Sequence, residues 1–145
     1  MSEKKILYVS QQISPFIAEN NPLADTCKLL PLSVADSGHQ VRIFTPRYGL
    51  VNERRNQLHE VIRLSGMNLI ISNNDHQLII KVASVPNSRQ QVYFVDNEDF
   101  FRRKALERDP ETGTFFPDND QRAMFFARGV LETVKKLRWA PDCIH

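Results

Sequence analysis

Short apolar runs separated by polar residues recur along the chain and predict alternating strands and helices. Residues 5–10 are Lys-Ile-Leu-Tyr-Val-Ser, a β-branched and aromatic run that is typical of a central strand covered on both faces. Residues 40–45, Gln-Val-Arg-Ile-Phe-Thr, form a second run of this kind, which Pro46 closes. The pattern therefore predicts two strands of one sheet.

The segment between these runs has the spacing of an amphipathic helix over residues 23–37, and Gly38 supplies the left-handed residue that commonly ends a helix. The apolar positions of one face are Leu23, Cys27, Leu30 and Val34. Pro31 disagrees with this pattern because a proline inside a helix removes a backbone donor, so we expect a kink or a helix start near it. Strand, helix and strand in this order predict a βαβ unit with parallel strands and a right-handed crossover.

Residues 49–96 change to short alternating segments separated by turn-forming residues. The segments are 58–64, 69–71, 78–85 and 91–95, and the turns are Asn-Asn-Asp at 73–75 and Pro-Asn-Ser at 86–88. This pattern predicts a hairpin-rich insertion that carries the chain back to the sheet, with residues 93–95 as the returning strand.

A long helix is predicted after residue 118, because Asp118 and Gln121 have the spacing of a capping box. Its apolar face is expected to comprise Ala123, Phe126, Ala127, Val130, Leu131, Val134 and Leu137. Pro141 ends this helix, and residues 142–145 predict a further parallel strand in the sheet interior. We therefore expect an α/β fold, an incomplete Rossmann-like three-layer sandwich with a mainly parallel sheet and a hairpin insertion, in which residues 1–145 form a single, truncated domain.

Composition excludes several classes of protein. The chain is 41% apolar and 25% charged, as in ordinary globular domains, and its apolar runs are only a few residues long, so no membrane span is expected. The amino terminus has no secretory signal pattern, which makes the cytoplasm the expected location. A net charge of +2 with interspersed signs does not form the basic stripe of a nucleic-acid-binding protein.

Metal and disulfide sites are not expected either. Cys27 and Cys143 lie far apart without a metal-ligand spacing, so we expect both thiols to be reduced and in the core. The sequence also lacks the glycine-rich dinucleotide motif, the Walker lysine loop, the zincin motif and the serine-hydrolase elbow. Ligands of open parallel sheets bind beyond the carboxyl ends of the strands, which directs attention to residues 11–22, 47–52 and 97–101.

Several motifs in these segments, taken in order, resemble the amino-terminal domain of glycogen and starch synthases. They are Ser-Pro-Phe at 14–16, Leu-Ala-Asp at 23–25, Ser-Gly-His-x-Val-Arg at 37–42, Pro-Arg-Tyr-Gly at 46–49, Tyr-Phe-Val-Asp-Asn at 93–97, Phe-Phe at 100–101, Asp-Asn at 118–119 with Arg122, and Trp-x-Pro-Asp-x-Ile-His at 139–145. Because they span nearly the whole chain in the family's order, the resemblance is more specific than any one motif.

The resemblance implies a retaining glucosyltransferase that has two Rossmann-like domains and uses neither a metal nor another cofactor. Such enzymes transfer glucose from ADP-glucose or UDP-glucose to the non-reducing end of an α-1,4-glucan. This chain would be part of the acceptor-side domain, while the nucleotide is held chiefly by the second domain, which is missing here. The resemblance therefore leaves open whether the chain is itself an enzyme, and it implies that the fragment alone is inactive.

One segment departs from the family pattern. Relatives carry Lys-Thr-Gly-Gly before Leu-Ala-Asp, where backbone amides and the lysine meet the donor phosphates. The corresponding residues here are Ala18, Glu19, Asn20, Asn21 and Pro22, which include no glycine or lysine. Since Pro22 lacks an N–H group and Glu19 adds a negative charge, we expect this altered loop to bind a diphosphate poorly.

The resemblance also indicates candidate substrate-binding residues, which are Asp25, Arg47, Tyr48, Asp96, Asn97 and His145. Each has a structural alternative: Asp25 is also suited to the first turn of a helix, and Asp96 and Asn97 are common turn residues. Arg47 and Tyr48 are more often part of a structural turn, and a lone histidine at a strand end, such as His145, is more often structural.

Three functions stay open from the sequence. The first is the amino-terminal portion of a glycogen-synthase-like glucosyltransferase. The second is a non-catalytic glucan-binding or regulatory relative that has lost the donor-phosphate loop, and the third is an unrelated α/β binding domain.

Overall fold

The two apolar runs of the βαβ unit form neighbouring strands at the centre of a six-stranded sheet. A computed structural model describes residues 2–17 and 21–145. Its strands are β1 (Lys5–Val9), β2 (Gln40–Pro46), β3 (His59–Glu60), β4 (Asn68–Ile71), β5 (Asn74–Gln77), β6 (Ile79–Ser84), β7 (Gln91–Asp96) and β8 (Cys143–Ile144). The helices are α1 (Pro22–Asp36), α2 (Glu98–Phe101) and α3 (Asn119–Lys136), with a short 3₁₀ turn at Ile62–Leu64.

The strand order in the main sheet is β3-β6-β7-β2-β1-β8. Strands β7, β2, β1 and β8 are parallel, and β6 and β3 continue the sheet in antiparallel fashion. The mainly parallel sheet and the parallel βαβ unit predicted from the sequence are therefore confirmed.

Successive residues of β7 face opposite layers, which gives the domain its three-layer arrangement. The side chain of Val95 lies against Gly129 of α3. The neighbouring Phe94 packs edge-on against Phe16, at a ring-centroid distance of 5.1 Å, in the segment that leads to α1. Helices α3 and α1 thus cover the two faces, and the buried apolar residues of the sheet form one core between them.

The insertion consists of the β4–β5 hairpin followed by β6. Ser72 and Asn73 connect β4 to β5 with φ of +50° and +66°, which is the twist that two-residue hairpin turns require. Strand β6 then pairs antiparallel with β7, so the predicted returning strand at 93–95 is confirmed.

Helix α1 begins and ends within one residue of its predicted bounds, but its buried face was predicted wrongly. Leu23 and Leu30 are 58% and 38% exposed, whereas Ala24 and Pro31 are buried. The small side chain of Ala24 allows the chain before the helix to approach closely, since the Ser14 amide donates to the Ala24 carbonyl at 3.2 Å. The helix starts at Pro22 and continues through Pro31, so no helix start occurs at that proline.

Helix α3 also follows its predicted bounds, but the face that it buries is rotated relative to the predicted one. Val130 and Val134 are buried as expected, but Leu131 is 53% exposed and Ala123 and Ala127 are exposed. The other buried positions are Arg122, Phe125, Gly129 and Thr133. A Cβ atom at residue 129 would lie 2.9 Å from Val95, so the glycine lets α3 sit against the sheet and sets its rotation.

The predicted capping box was wrong, whereas the further parallel strand predicted near the end of the sequence is confirmed by the pairing of β8 with β1. Asp118 makes no capping hydrogen bond, because its carboxylate binds Arg103 instead. Strand β8 is the outermost strand on its side of the described sheet, and Ile144 is 59% exposed. Cys27 is half-buried and packs against the core, as expected, but Cys143 is exposed, so its predicted core position was wrong; both are free thiols.

No helix in residues 2–17 and 21–145 has the length and apolarity that a membrane crossing requires.

Gly49 permits the closest backbone approach after β2. Its amide donates to the Arg103 carbonyl at 2.9 Å, and a Cβ atom would overlap the carbonyl oxygens of Arg102 and Arg103. We expect Gly49→Ala to lower the free energy of unfolding by about 3 kcal/mol or more, because backbone atoms would have to move. The control Gly66→Ala, at a φ of +97° in open space, should cost only about 1–2 kcal/mol. Equal urea midpoints for the two variants would contradict this prediction.

Candidate functional site

The carboxyl ends of β1, β2 and β7 meet the amino end of α3 around a cavity of about 310 Å³, which we call the carboxyl-edge cavity. It is lined by Gln11, Pro46, Tyr48, Phe101, Leu106, Glu107, Asn119, Arg122, Ala123 and Phe126. This is the edge at which open parallel sheets bind ligands.

Arg122 supplies a buried positive charge to the wall of this cavity and is only 5% exposed. Its Nε donates to the Phe100 carbonyl at 2.8 Å, and its Nη1 donates to the Leu106 carbonyl at 2.7 Å and to Asn119 Oδ1 at 2.9 Å. Within the described residues it forms no ion pair, and burial lowers its pKa. The sequence marked Arg122 only as part of a motif, although a charged residue on the apolar side of a predicted helix is a signal for such a role.

Tyr48 lies beside Arg122 and is also buried. Its ring packs edge-on against Phe101 at 5.7 Å, and the Arg122 guanidinium is 5.5 Å from the ring centre. Burial raises the pKa of the Tyr48 hydroxyl, while a hydrogen bond with Gln11 and the charge of Arg122 lower it by less. Tyr48 is thus the one predicted substrate-binding residue that lines the cavity, and it lies there as a neutral phenol.

Arg47 and Asp96 come together as predicted, but they bind each other. Arg47 Nη2 is 2.9 Å from Asp96 Oδ1, and Lys81 Nζ is 2.9 Å from Asp96 Oδ2. Glu53 completes the cluster at 2.8 Å from Lys81. Burial is the largest single influence and lowers the pKa of Lys81, but the hydrogen bonds and negative charges of Asp96 and Glu53 together raise it above its usual value.

The Asp96 carboxylate is 3% exposed and does not line the carboxyl-edge cavity. Its contacts join the end of β7 to β6 and to the loop after β2. A buried carboxylate held by two cations is thereby fixed as a structural element.

Asn97 and His145 are likewise engaged in local structure. Asn97 caps α2, since its Oδ1 accepts from the amides of Asp99 and Phe100 at 2.9 and 3.2 Å and its Nδ2 donates to the Gln77 carbonyl at 2.9 Å. The His145 amide donates to the Leu7 carbonyl at 2.8 Å in the β1–β8 pairing, and its exposed ring lies 5.2 Å from that of Tyr8.

Asp25 lies in the first turn of α1, where it accepts a 2.6 Å hydrogen bond from the Ser14 hydroxyl. This contact ties the helix to the turn after β1. Asp25 is half-buried and does not line the carboxyl-edge cavity.

Part of the altered loop, namely Ala18, Glu19 and Asn20, lies outside the described residues. Asn21 is the N-cap of α1, and its Oδ1 accepts from the amides of Leu23 and Ala24 at 3.0 and 3.3 Å. The Asn21 carbonyl accepts from the Asp25 amide at 2.9 Å, and Pro22 has no N–H group. The backbone donors of the first turn are therefore already used within the helix terminus.

A further ion pair lies at the amino end of α3, next to the cavity. Arg103 holds the Asp118 carboxylate through two hydrogen bonds of 2.6 and 2.7 Å, and its guanidinium lies 4.6 Å from the centre of the Phe116 ring. The hydrogen bonds from Arg103 hold the pKa of Asp118 below its usual value. The pair thereby fixes the start of α3, which carries Arg122.

This pair should make stability depend on pH in a defined direction. Because the pKa of Asp118 is lowered in the folded state, the stabilisation is present above the unfolded-state value of about 3.9 and is lost as the pH falls through the folded-state value. A double-mutant cycle of Arg103→Gln and Asp118→Asn should give a coupling energy of about 1 kcal/mol at pH 7, measured by urea unfolding. The coupling should decline below a pH of about 4, and a coupling that is unchanged at low pH would contradict the assignment.

Comparison with known proteins identifies the family. Residues 5–145 match the family described as starch synthase catalytic domain. Over 141 residues the chain is 39% identical to the glycogen synthase of Pelodictyon phaeoclathratiforme and 40% identical to that of Chlorobium phaeobacteroides. Each comparison covers 97% of this chain and 29% of the relative, so the chain spans less than a third of the length of these relatives.

The fold is also that of the catalytic domain of starch synthase IV from Arabidopsis thaliana, solved with bound ADP and acarbose. The TM-score is 0.79 at 21% identity, over 99% of this chain and 28% of that one. The resemblance inferred from the sequence is confirmed: this chain belongs to the glycogen and starch synthase family, of whose catalytic domain it corresponds to the amino-terminal part.

Proposed function

We propose that this chain forms the acceptor-side wall of a glucosyltransferase cleft, in which glucose passes from ADP-glucose or UDP-glucose to an α-1,4-glucan. In this proposal the chain alone binds glucan and does not transfer glucose. The carboxyl-edge cavity carries the proposal, because it combines aromatic walls with a few polar groups at the edge of the sheet where ligands bind.

The polar groups of the cavity suit the hydroxyl groups of a sugar. Gln11 is exposed at the cavity rim and offers both a donor and an acceptor, and Tyr48 offers a hydroxyl. Arg122 places a fixed positive charge in the cavity wall, where it attracts the lone pairs of sugar oxygens. The starch synthase IV domain that shares this fold was solved with acarbose, which supports a sugar ligand here.

Glucose transfer needs groups beyond this wall. Among the described residues that line the cavity, Glu107 carries the only carboxylate, and it is exposed. The relatives are more than three times as long as the matched segment, and a second domain closing over the cavity would complete the donor site. The role we assign to this chain is therefore to bind and orient the acceptor.

A second candidate function is a non-catalytic glucan-binding or regulatory protein. The specific observation in its favour is the amino terminus of α1, where Asn21 and Pro22 leave no free first-turn amide for a donor phosphate. A helix that caps itself in this way has lost the anion-binding property of an open terminus.

Titration with maltooligosaccharides tests the proposed acceptor site. We expect the 145-residue chain to bind maltoheptaose in calorimetry without elongating it when ADP-glucose is added. Gln11→Ala should weaken binding about 5-fold, since one hydrogen bond contributes about 1 kcal/mol. Gln77→Ala, an exposed glutamine outside the cavity, serves as the matched control and should leave the affinity unchanged. Equal affinities for the two variants would place the glucan elsewhere.

Replacement of residues 18–22 by Lys-Thr-Gly-Gly separates the two candidate functions. The graft removes the Asn21 cap and Pro22, frees the α1 amides and adds a positive charge, so ADP-glucose affinity should rise at least 10-fold. A matched graft of Ala-Thr-Gly-Gly should recover only part of this gain, because it lacks the charge. The non-catalytic function would be ruled out if the unmodified sequence, joined to the remainder of a synthase, binds the donor and elongates glucan. An unchanged ADP-glucose affinity in both grafts would show that this loop does not face the donor.

A further inference from the structure

A second polar pocket lies at the opposite end of the sheet, and we call it the amino-edge pocket. Its volume is about 370 Å³, and it is lined by His39, Gln40, Val41, Arg42, Arg89, Gln90, Gln91, Tyr93 and Trp139. Residues at the start of β2 and β7 contribute to it, whereas the carboxyl-edge cavity lies beyond their last residues. Since β2 has seven residues at about 3.3 Å each, about 20 Å separates the two sites.

Arg42 is the central side chain of this pocket. Its guanidinium lies 5.2 Å from the Trp139 ring centre and 5.7 Å from that of Tyr93, and its Nη1 donates to the Tyr93 hydroxyl. Its Nε is buried without an acceptor, and among the described residues no acceptor contacts its Nη2 and no carboxylate pairs with it. The two rings thus fix a cation whose donors are not all used.

The rest of the lining adds donors and no negative charge. The exposed Arg89 makes no side-chain hydrogen bond or ion pair within the described part of the chain. His39 accepts from the Lys4 amide through Nδ1 at 3.1 Å, which leaves Nε2 as a donor. No aspartate or glutamate is present in the lining described. Two guanidinium groups and an imidazole N–H therefore surround a space suited to an anion.

The aromatic rings of the pocket do not offer a platform for a neutral sugar. One face of Tyr93 is stacked on Phe44 at 4.8 Å and an interplanar angle of 14°, and Arg42 lies over the ring as well. Trp139 is 6% exposed, carries Arg42 on its ring, and donates its indole N–H to Gln40 at 3.1 Å. The occupied ring faces favour an oxyanion over a glucan.

We propose that the amino-edge pocket is a binding site for a phosphate group, either free phosphate or the phosphate of a small phosphomonoester. Arg42 and Arg89 bind the phosphate oxygens, and the Tyr93 and Trp139 rings hold Arg42 in position. The site is separate from the carboxyl-edge cavity, so the phosphate proposal does not depend on the glucan-binding proposal.

The chain contains a single tryptophan, which makes Trp139 a direct reporter of this pocket. Titration with inorganic phosphate at constant ionic strength should change the tryptophan fluorescence saturably, and calorimetry should give the same affinity. Glucose 1-phosphate and glucose are titrated in the same way. Stronger binding of glucose 1-phosphate than of phosphate identifies a phosphomonoester site, the reverse identifies a free-phosphate site, and binding of glucose or maltoheptaose in the pocket would overturn the proposal.

Variants of three arginines locate the site. Arg89→Gln, at an exposed position, should weaken phosphate binding about 10-fold without loss of stability, as removal of one charge-assisted hydrogen bond predicts. Arg42→Gln should abolish binding, and Arg63→Gln, an exposed arginine outside the pocket, should have no effect. Absence of saturable phosphate binding in calorimetry, or equal affinity in the Arg89→Gln and Arg63→Gln variants, would overturn the proposal.

Discussion

The buried guanidinium of Arg122 is the interaction on which the carboxyl-edge cavity depends. Removing a charge from water costs several kcal/mol, and no carboxylate among the described residues lies within ion-pair distance of Arg122. The more distant Asp118 offsets only part of this cost. Carbonyl and amide oxygens serve as the hydrogen-bond acceptors instead, because Arg122 donates to Phe100, Leu106 and Asn119. These bonds attach the start of α3 to the chain after β7, and the rings of Tyr48, Phe101 and Phe116 close around the guanidinium.

The candidate residues taken from the family resemblance divide according to their partners. Tyr48 lines the cavity, while Arg47 and Asp96 neutralise each other within a buried cluster and Asn97 satisfies the first amides of α2. Side chains whose polar atoms bind partners inside the fold have less capacity left for a ligand, although Arg47 Nε is buried without an acceptor. Asn21 likewise binds the first amides of α1, and this is the structural reason to consider a non-catalytic relative.

The order of the elements was predictable from the sequence because it depends on local periodicity. The strands at 5–9 and 40–46, the returning strand at 91–96 and both long helices follow from runs of apolar residues and their turns. The rotation of the helices was not predictable in this way. It depends on Ala24, which has only a methyl group, and on Gly129, which has no side chain, because both allow close approach. A search for large apolar residues instead assigns the buried face to leucines that are in fact exposed.

The edge of the sheet at which the carboxyl-edge cavity lies was likewise predictable, since it follows from the direction of the parallel strands, but the partner of each charged residue was not. Asp118 has the sequence of a helix cap, yet Arg103, fifteen residues earlier, takes its carboxylate with two charge-assisted hydrogen bonds. Asp96 similarly meets Lys81 only because β6 pairs antiparallel with β7. Such pairings depend on the tertiary arrangement and leave no spacing in the sequence to detect.

Arg122 and Arg42 illustrate how the two sites differ although each contains an arginine without a carboxylate partner. Both guanidinium groups lie beside aromatic rings, and both contribute a positive charge to a pocket wall. Arg122 donates three hydrogen bonds to the protein itself, and only its Nη2 lacks an acceptor among the described residues, so its main effect is to fix the wall of the carboxyl-edge cavity. Arg42 donates to the Tyr93 hydroxyl alone among the described residues, and it therefore retains donors for a ligand of its own.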